Sequence, residues 1–149
     1  MKHTRGDLFE EIKKATGKVF VMHQVNCQNV MGAGFAKTFY QHYPEIKHAF
    51  HAYANILPTP EDRFGKLQYV DITDQLVCVN SYTQLNFGSN KKQTDEQRLI
   101  DNIITVATVA KAQGAELFIP AYIGCGLAGG DWSTVYNGIE HLDLTLCYK

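Results

Sequence analysis

The chain has 149 residues, 14 of them Lys or Arg and 15 Asp or Glu, so its formal net charge is −1 with histidine neutral. That length suits one core, and the expected organisation is a single domain over residues 1–149. The near-neutral balance offers no bulk positive field for nucleic acid or anionic lipid, and a 45% hydrophobic content excludes a disordered chain. The longest apolar stretches fall well short of the about 20 residues that cross a bilayer.

The N-terminal segment carries scattered charges and no apolar run ahead of a small-residue cleavage site, so the cytoplasm is the expected compartment. Cys27, Cys78, Cys125 and Cys147 are far apart, with no CxxC pair and no zinc-type spacing. Among the histidines only His48 and His51 have a helical i, i+3 spacing, and no carboxylate or cysteine joins them, so no metal and no cofactor is expected. Cys78 and Cys147 fall in apolar runs that read as buried strands, whereas Cys27 and Cys125 fall in Asn- or Gly-bearing loops and are expected to be partly exposed.

Taken in chain order, residues 18–25 contain Val19, Phe20, Val21 and Met22 between Gly17 and the polar segment NCQN, the pattern of a buried strand entering a loop. Residues 35–50 place Phe35, Ala36, Phe39, Tyr40, Tyr43 and Ile46 near helical spacing with Pro44 as a break, which predicts two successive helices. Residues 66–72 and 75–81 read as strands joined by a tight hairpin at Thr73 and Asp74. A helix is expected to open at Thr94, with Asp95 and Glu96 in its first turn, an apolar face of Leu99, Ile100, Ile103, Ile104, Ala107 and Ala110, and a stop at Gly114. A strand over 116–121, a glycine-rich loop, a helix over 132–141 and a last strand over 142–148 complete the chain.

Strands that are continuously apolar and alternate with helices argue for the α/β class, as a three-layer α/β/α sandwich around a mixed, largely parallel sheet with one added hairpin. Ligands of such sheets bind beyond the carboxyl ends of the strands. Two glycine-bearing loops, residues 26–34 and 124–131, each lie between a strand and a helix. Glycines there admit positive φ and let backbone N–H groups converge on an anion, reinforced by the following helix dipole, so a phosphate ester is the expected ligand. The alternative is that the glycines only make tight turns. Neither loop matches the P-loop pattern or GxGxxG with an acidic partner, which disfavours ATP hydrolysis and ordinary dinucleotide reduction.

GDLF at 6–9, HQVNCQNVMGAGFAKTF at 23–39 and IPAYIGCGLAGGDW at 119–132 together resemble the macro domain, an ADP-ribose-binding α/β/α module. The likeness is to its small stand-alone branch, which includes ADP-ribose 1''-phosphate phosphatases and a lysine-using terminal ADP-ribose glycohydrolase. The resemblance implies that Asp7, beside Leu8, accepts from the adenine amino group, a role compatible with capping a helix. It implies that Asn26 and Asn29 lie near the distal ribose, although loop shaping is their other reading. Met31, Gly32, Ala33 and Gly34 match the first phosphate loop, and Ile123, Gly124, Cys125, Gly126, Leu127 and Ala128 the second, which closes over the diphosphate and distal ribose.

KKQTDEQ at 91–97 resembles the K-x-T segment of the glycohydrolase branch, which makes Lys92 the implied catalytic lysine and places Thr94 among the implied ligand-binding residues. Such a lysine opens the distal ribose through a Schiff base if its pKa is lowered; without the resemblance, Lys91 and Lys92 are an exposed basic pair. The branch carries an aspartate directly after GCGL, and here that position is Ala128, a departure from the complete mechanism. Asp131 is the carboxylate of the second loop, either a general base or the N-cap of the helix at Trp132. His23, just ahead of the first loop, is either an acid or base or a structural histidine. Tyr148 is the expected aromatic neighbour of adenine, with Tyr136 as the alternative, and Trp132 is expected in the core.

The implied function is binding of ADP-ribose with hydrolysis of a derivative, either de-ADP-ribosylation of a protein or nucleic acid or dephosphorylation of ADP-ribose 1''-phosphate. The alternative is a non-catalytic ADP-ribose reader. An RNA-binding module is a third class, disfavoured by the near-neutral charge. No membrane partner is expected.

Overall fold

The computed structural model describes residues 1–88 and 90–149. In chain order its elements are β1 (Lys2–Arg5), α1 (Leu8–Lys14), β2 (Val19–Asn26), α2 (Gly34–His42), α3 (Pro44–Ile56), α4 (Pro60–Arg63), β3 (Leu67–Asp71), β4 (Leu76–Gln84), α5 (Glu96–Ala112), β5 (Glu116–Pro120), α6 (Trp132–Ile139) and β6 (Thr145–Tyr148).

The six strands form one sheet in the order β1-β6-β5-β2-β4-β3. Every neighbouring pair is parallel except β3 with β4. The central strands are apolar on both faces because both faces are covered. On one side Val19, Val21 and Val25 of β2 pack with Leu8, Phe39, Ile46 and Phe50 from α1, α2 and α3. On the other, Phe20 and Met22 pack with Leu99 and Ile103 of α5 and Val135 and Ile139 of α6. Full burial of one such side chain stabilises by about 1.5–3 kcal/mol, so these two clusters clamp the sheet from both sides. The three-layer α/β/α reading of the sequence is thus the observed architecture.

Pro44 divides the 35–50 region as expected, because it fits the first turn of α3 and cannot continue α2. Several boundaries differ from the sequence expectation. Thr94 does not open α5: Asp95 is the N-cap, its carboxylate accepting from Arg98 N, while Thr94 is buried and bridges to Gln84. The β3–β4 connection is wider than a two-residue turn, and Thr73 Oγ1 accepts from both Gln75 N and Leu76 N within it. β4 runs on to Gln84, α6 ends at Ile139, and β6 starts at Thr145. Cys27 is fully buried rather than partly exposed, whereas Cys125 is half-buried as expected. Among the described residues no helix is long and apolar enough to cross a membrane.

Candidate functional site: a cleft between two glycine loops

The first loop leaves β2 at Asn26, whose side chain folds it back: Nδ2 donates to Val30 O at 2.6 Å and Oδ1 accepts from Gln28 N at 3.0 Å. Three contacts hold the loop from outside. Cys27 N donates to Gln84 O, His51 Nδ1 lies 2.7 Å from Asn29 Oδ1, and Arg63 Nη2 donates to Cys27 O at 2.6 Å. The loop then enters α2 through Ala33, which provides no side-chain cap, and the first turn of α2 holds no acidic residue. By contrast α1, α5 and α6 are capped by Asp7, Asp95 and Asp131. The α2 end therefore keeps unsatisfied N–H donors and an unopposed positive dipole.

The second loop follows β5. Gly124 has φ +71°, and a Cβ there would lie 2.9 Å from Gln24 Oε1 and 3.0 Å from Leu99 Cδ2, so both backbone and packing require glycine. Gly124 O accepts from Thr94 Oγ1 and from Gly130 N, while Ala128 O accepts from Gln93 N and Thr94 N. The two loops meet at Gly34, where an added Cβ would be 3.4 Å from Leu127 Cδ1.

Between them lies a cleft of about 690 Å³ at the carboxyl ends of β2, β4 and β5. Of the residues singled out in the sequence, it is lined by His23, Asn26, Met31, Gly32, Ala33, Gly34, Ile123, Gly124, Gly126, Leu127 and Ala128. Its described lining contains no Lys, Arg, Asp or Glu. Phe87 and Tyr122, both more than half exposed, add an apolar rim that no motif in the sequence announces, and Gln24 adds a polar floor. Gln24 was recoverable in principle as the strand residue that faces opposite to His23.

The other candidates lie outside this lining. Asp7 caps α1 by accepting from Phe9 N, Leu8 is buried in the core, and Asn29, at φ +60°, is turned to His51. Thr94 is buried under the second loop. Cys125 is half-buried with its thiol pushed up to about 11, chiefly by burial and then by the charges of Glu96 and Asp131. Tyr148 stacks on His3 at 5.8 Å and meets Tyr122 edge-on. Trp132 is half-buried between Tyr122 and Tyr136 rather than deep in the core. Asp7, two residues past the end of β1, and Tyr148, the last residue of the neighbouring strand β6, nevertheless lie at the same carboxyl end of the parallel strands as the cleft.

The electrostatics of the three candidate catalytic groups differ from what each role requires. Lys92 Nζ is 2.5 Å from Glu96 Oε2, and this hydrogen bond raises its pKa, the reverse of what a Schiff-base lysine needs. Asp131 caps α6: Oδ1 accepts from Ser133 N and Ser133 Oγ and Oδ2 from Thr134 Oγ1, which holds its carboxyl below the ordinary range. Glu96 links the two, because its Oε2 also accepts from Asp131 N at 3.0 Å. In Glu96 itself burial opposes ionisation, but the hydrogen bonds from Lys92 and Asp131 outweigh it and lower the pKa. His23 is 1% exposed, with Nε2 2.5 Å from Asn80 Oδ1. Asn80 Nδ2 donates to Gln68 Oε1, so Oδ1 is the acceptor and His23 carries its proton on Nε2. Nδ1 is then bare and has no partner among the described residues, and burial pushes the imidazole pKa down to about 4.

No family model and no curated protein matches the sequence. Solved structures do. A macrodomain protein from Streptomyces coelicolor is 22% identical over 99% of this chain and 97% of that one, with a TM-score of 0.79. The macrodomain of Mycobacterium tuberculosis DarG is 25% identical over 98% of this chain and 96% of that one, with a TM-score of 0.70. Thermosipho africanus DarTG, solved in complex with ADP-ribose, is 19% identical over 99% of this chain and 41% of that one, with a TM-score of 0.71. The chain has the macrodomain fold.

Proposed function

We propose that the cleft binds ADP-ribose, with the diphosphate between the first and second loops. The observation that carries this is the α2 N-terminus, left without a cap where it opens on a cleft whose described lining holds no acidic side chain. Free N–H donors at a positive helix end, facing a glycine loop, suit a diphosphate. A ligand longer than a phosphate is supported by the sheet order. Asp7 follows the end of β1 and Tyr148 ends β6, and β2 is three strand spacings from β1, roughly 14 Å at ~4.8 Å each. The likeness to a structure solved with ADP-ribose supports the choice of nucleotide.

The test is isothermal titration with ADP-ribose beside ATP and NAD, on the wild type and on Gly126→Glu. A Cβ at Gly126 meets nothing within 4 Å, so the variant folds while its carboxylate occupies the second loop. Micromolar binding of ADP-ribose that the variant loses is the expected result. No binding at millimolar ADP-ribose overturns the reading.

Hydrolysis of an ADP-ribose derivative is a second reading, favoured by the anchoring of the Lys92 segment: a Cβ on Gly129 would lie 3.3 Å from Lys92 Cα, and Gln93 N and Thr94 N both donate to Ala128 O. The Lys92 side chain thus starts at the edge of the second loop. Attack on the anomeric carbon requires Lys92 to leave Glu96 and lose its proton. With Ala128 after GCGL, Asp131 is the loop carboxylate for the hydrolytic step, provided it leaves its cap. Release of ADP-ribose from a modified protein or nucleic-acid end, abolished in Lys92→Ala with ADP-ribose affinity kept, supports this reading. Binding without turnover on those substrates or on ADP-ribose 1''-phosphate leaves the reader.

A further inference from the structure

Arg63 is 4% exposed, yet among the described residues it forms no ion pair with a carboxylate. Its guanidinium is held by backbone alone: Nη1 donates to Leu57 O at 2.5 Å, Nη2 donates to Cys27 O at 2.6 Å, and Nε has no partner. Leu57 is the C-cap of α3, so part of the charge is balanced by the negative end of that helix. The remainder sits against the first loop. Cys27, whose carbonyl the guanidinium holds, directly follows Asn26, a residue of the cleft lining, so the cation is bonded to the peptide next to the lining.

A buried guanidinium without a carboxylate is costly, because water has been removed and no counter-ion replaces it. The cleft beside it has the complementary deficit, since its described lining carries no cation to meet a dianionic ligand. The fold goes to some length to set Arg63 there. α4 is started by the side chain of Thr59, which accepts from Asp62 N, with Pro60 in its first turn and Arg63 at its end, pointing inward from a segment whose Glu61 and Asp62 are exposed.

We infer that Arg63 is the buried counter-cation of the anion site: it fixes the Cys27 carbonyl and supplies from behind the first loop the positive field that the lining lacks, so that the cleft prefers the diphosphate-bearing ligand over a neutral nucleoside. This rests on the proposed binding of ADP-ribose. Arg63 touches no ligand itself and is a positioning residue, acting through the loop and through its field.

The experiment titrates ADP-ribose and adenosine into wild type, Arg63→Lys and Arg63→Gln. Glutamine removes the charge and leaves a neutral amide two bonds shorter than the Nη2 that meets the Cys27 carbonyl, and lysine keeps the charge. The expected result is about tenfold weaker ADP-ribose binding in Arg63→Gln, the scale of one charge at a partly buried site, with most of the affinity retained in Arg63→Lys and adenosine unchanged in both. Equal losses in the two variants, a parallel loss of adenosine, or wild-type ADP-ribose affinity in Arg63→Gln overturns the inference. If Arg63→Gln does not fold, Arg63→Lys titrated from pH 7 to 10 decides: ADP-ribose affinity that falls as the buried ammonium loses its proton, with the wild type and adenosine binding level, supports the field, and a response parallel to the wild type overturns it. Absence of ADP-ribose binding to the wild type is the separate failure of the binding reading.

Discussion

Thr94 Oγ1 donates to Gly124 O at 2.5 Å while accepting from Gln24 Nε2 at 2.8 Å, so one buried hydroxyl ties the segment ahead of α5 to the second loop and to the central strand β2. Gln24 Oε1 in turn accepts from Thr83 Oγ1 at 2.7 Å, which extends the tie to β4. The second loop is therefore held from below by a polar network and not by the glycine geometry alone.

Replacing Thr94 with valine keeps the shape and removes both hydrogen bonds. Leaving the Gly124 carbonyl and the Gln24 amide short of a partner costs about 1–3 kcal/mol of stability. ADP-ribose affinity is expected to fall several-fold in the same variant, because the loop is no longer fixed. Thr94→Ser restores both. Urea unfolding beside calorimetric titration checks this, and equal behaviour of valine and serine would remove the network from the account.

His23 makes stability depend on pH in a defined direction. Its folded pKa is about 4 against an ordinary 6.5, so between these values the unfolded chain binds more protons and stability rises with pH. The contribution is fully present above about 6.5 and is lost as pH falls towards 4, a change on the order of 3 kcal/mol. Urea midpoints measured from pH 4 to 8 should show this slope, and His23→Gln should flatten it. An unchanged slope in that variant would assign the dependence to other groups.

Gly124 and Gly126, two residues apart, should respond unequally to alanine. At Gly124 the added Cβ meets Gln24 and Leu99 at 2.9 and 3.0 Å with φ at +71°, and a loss of about 1–3 kcal/mol follows from strain and overlap. At Gly126 nothing lies within 4 Å. Thermal unfolding of Gly124→Ala should therefore be lowered by several degrees and that of Gly126→Ala left near the wild type.

Glu96 holds Lys92 charged, so Glu96→Gln should lower the Lys92 pKa and expose more neutral amine. The check is the rate of Lys92 modification by an amine-selective reagent near pH 9, read by peptide mass. Faster modification is expected. If hydrolysis is the activity, turnover should rise with it at neutral pH, while an unaltered modification rate would mean that the ion pair does not control this lysine.

The architecture was legible because its signals are local. The apolar run Val19–Met22 and the helical face from Leu99 to Ala110 report burial through spacing alone, and Asp131 ahead of Trp132 reads as a cap from its position. Both glycine loops were legible for the same reason, and most of their residues line the cleft. What was not legible depends on partners distant in the chain. Thr94 looks like a helix start until Gly124 and Gln24 are brought to it. Lys92 is the local exception: its partner Glu96 is only four residues on, but Lys92 lies ahead of α5, so helical spacing does not announce the contact. Cys27 stands in an Asn-rich segment and is nonetheless buried, because Gln84 and Arg63 close over its backbone. α4 is a single short turn with no apolar period to announce it, and the guanidinium that it carries could not be tied to the first loop from spacing.

Among the described residues the edge strand β1 pairs only with β6, Lys2 opposite Thr145 and Arg5 opposite Tyr148, and Gly6 N is bonded to Tyr148 O. On a ribosome this means that the earliest strand waits for the latest: the glycine loops can form while the Asp7 end of the sheet still lacks its neighbour. The opposite edge has no such delay, because β3 pairs with its immediate successor β4. A chain halted before residue 145 would carry both loops and an unfinished edge.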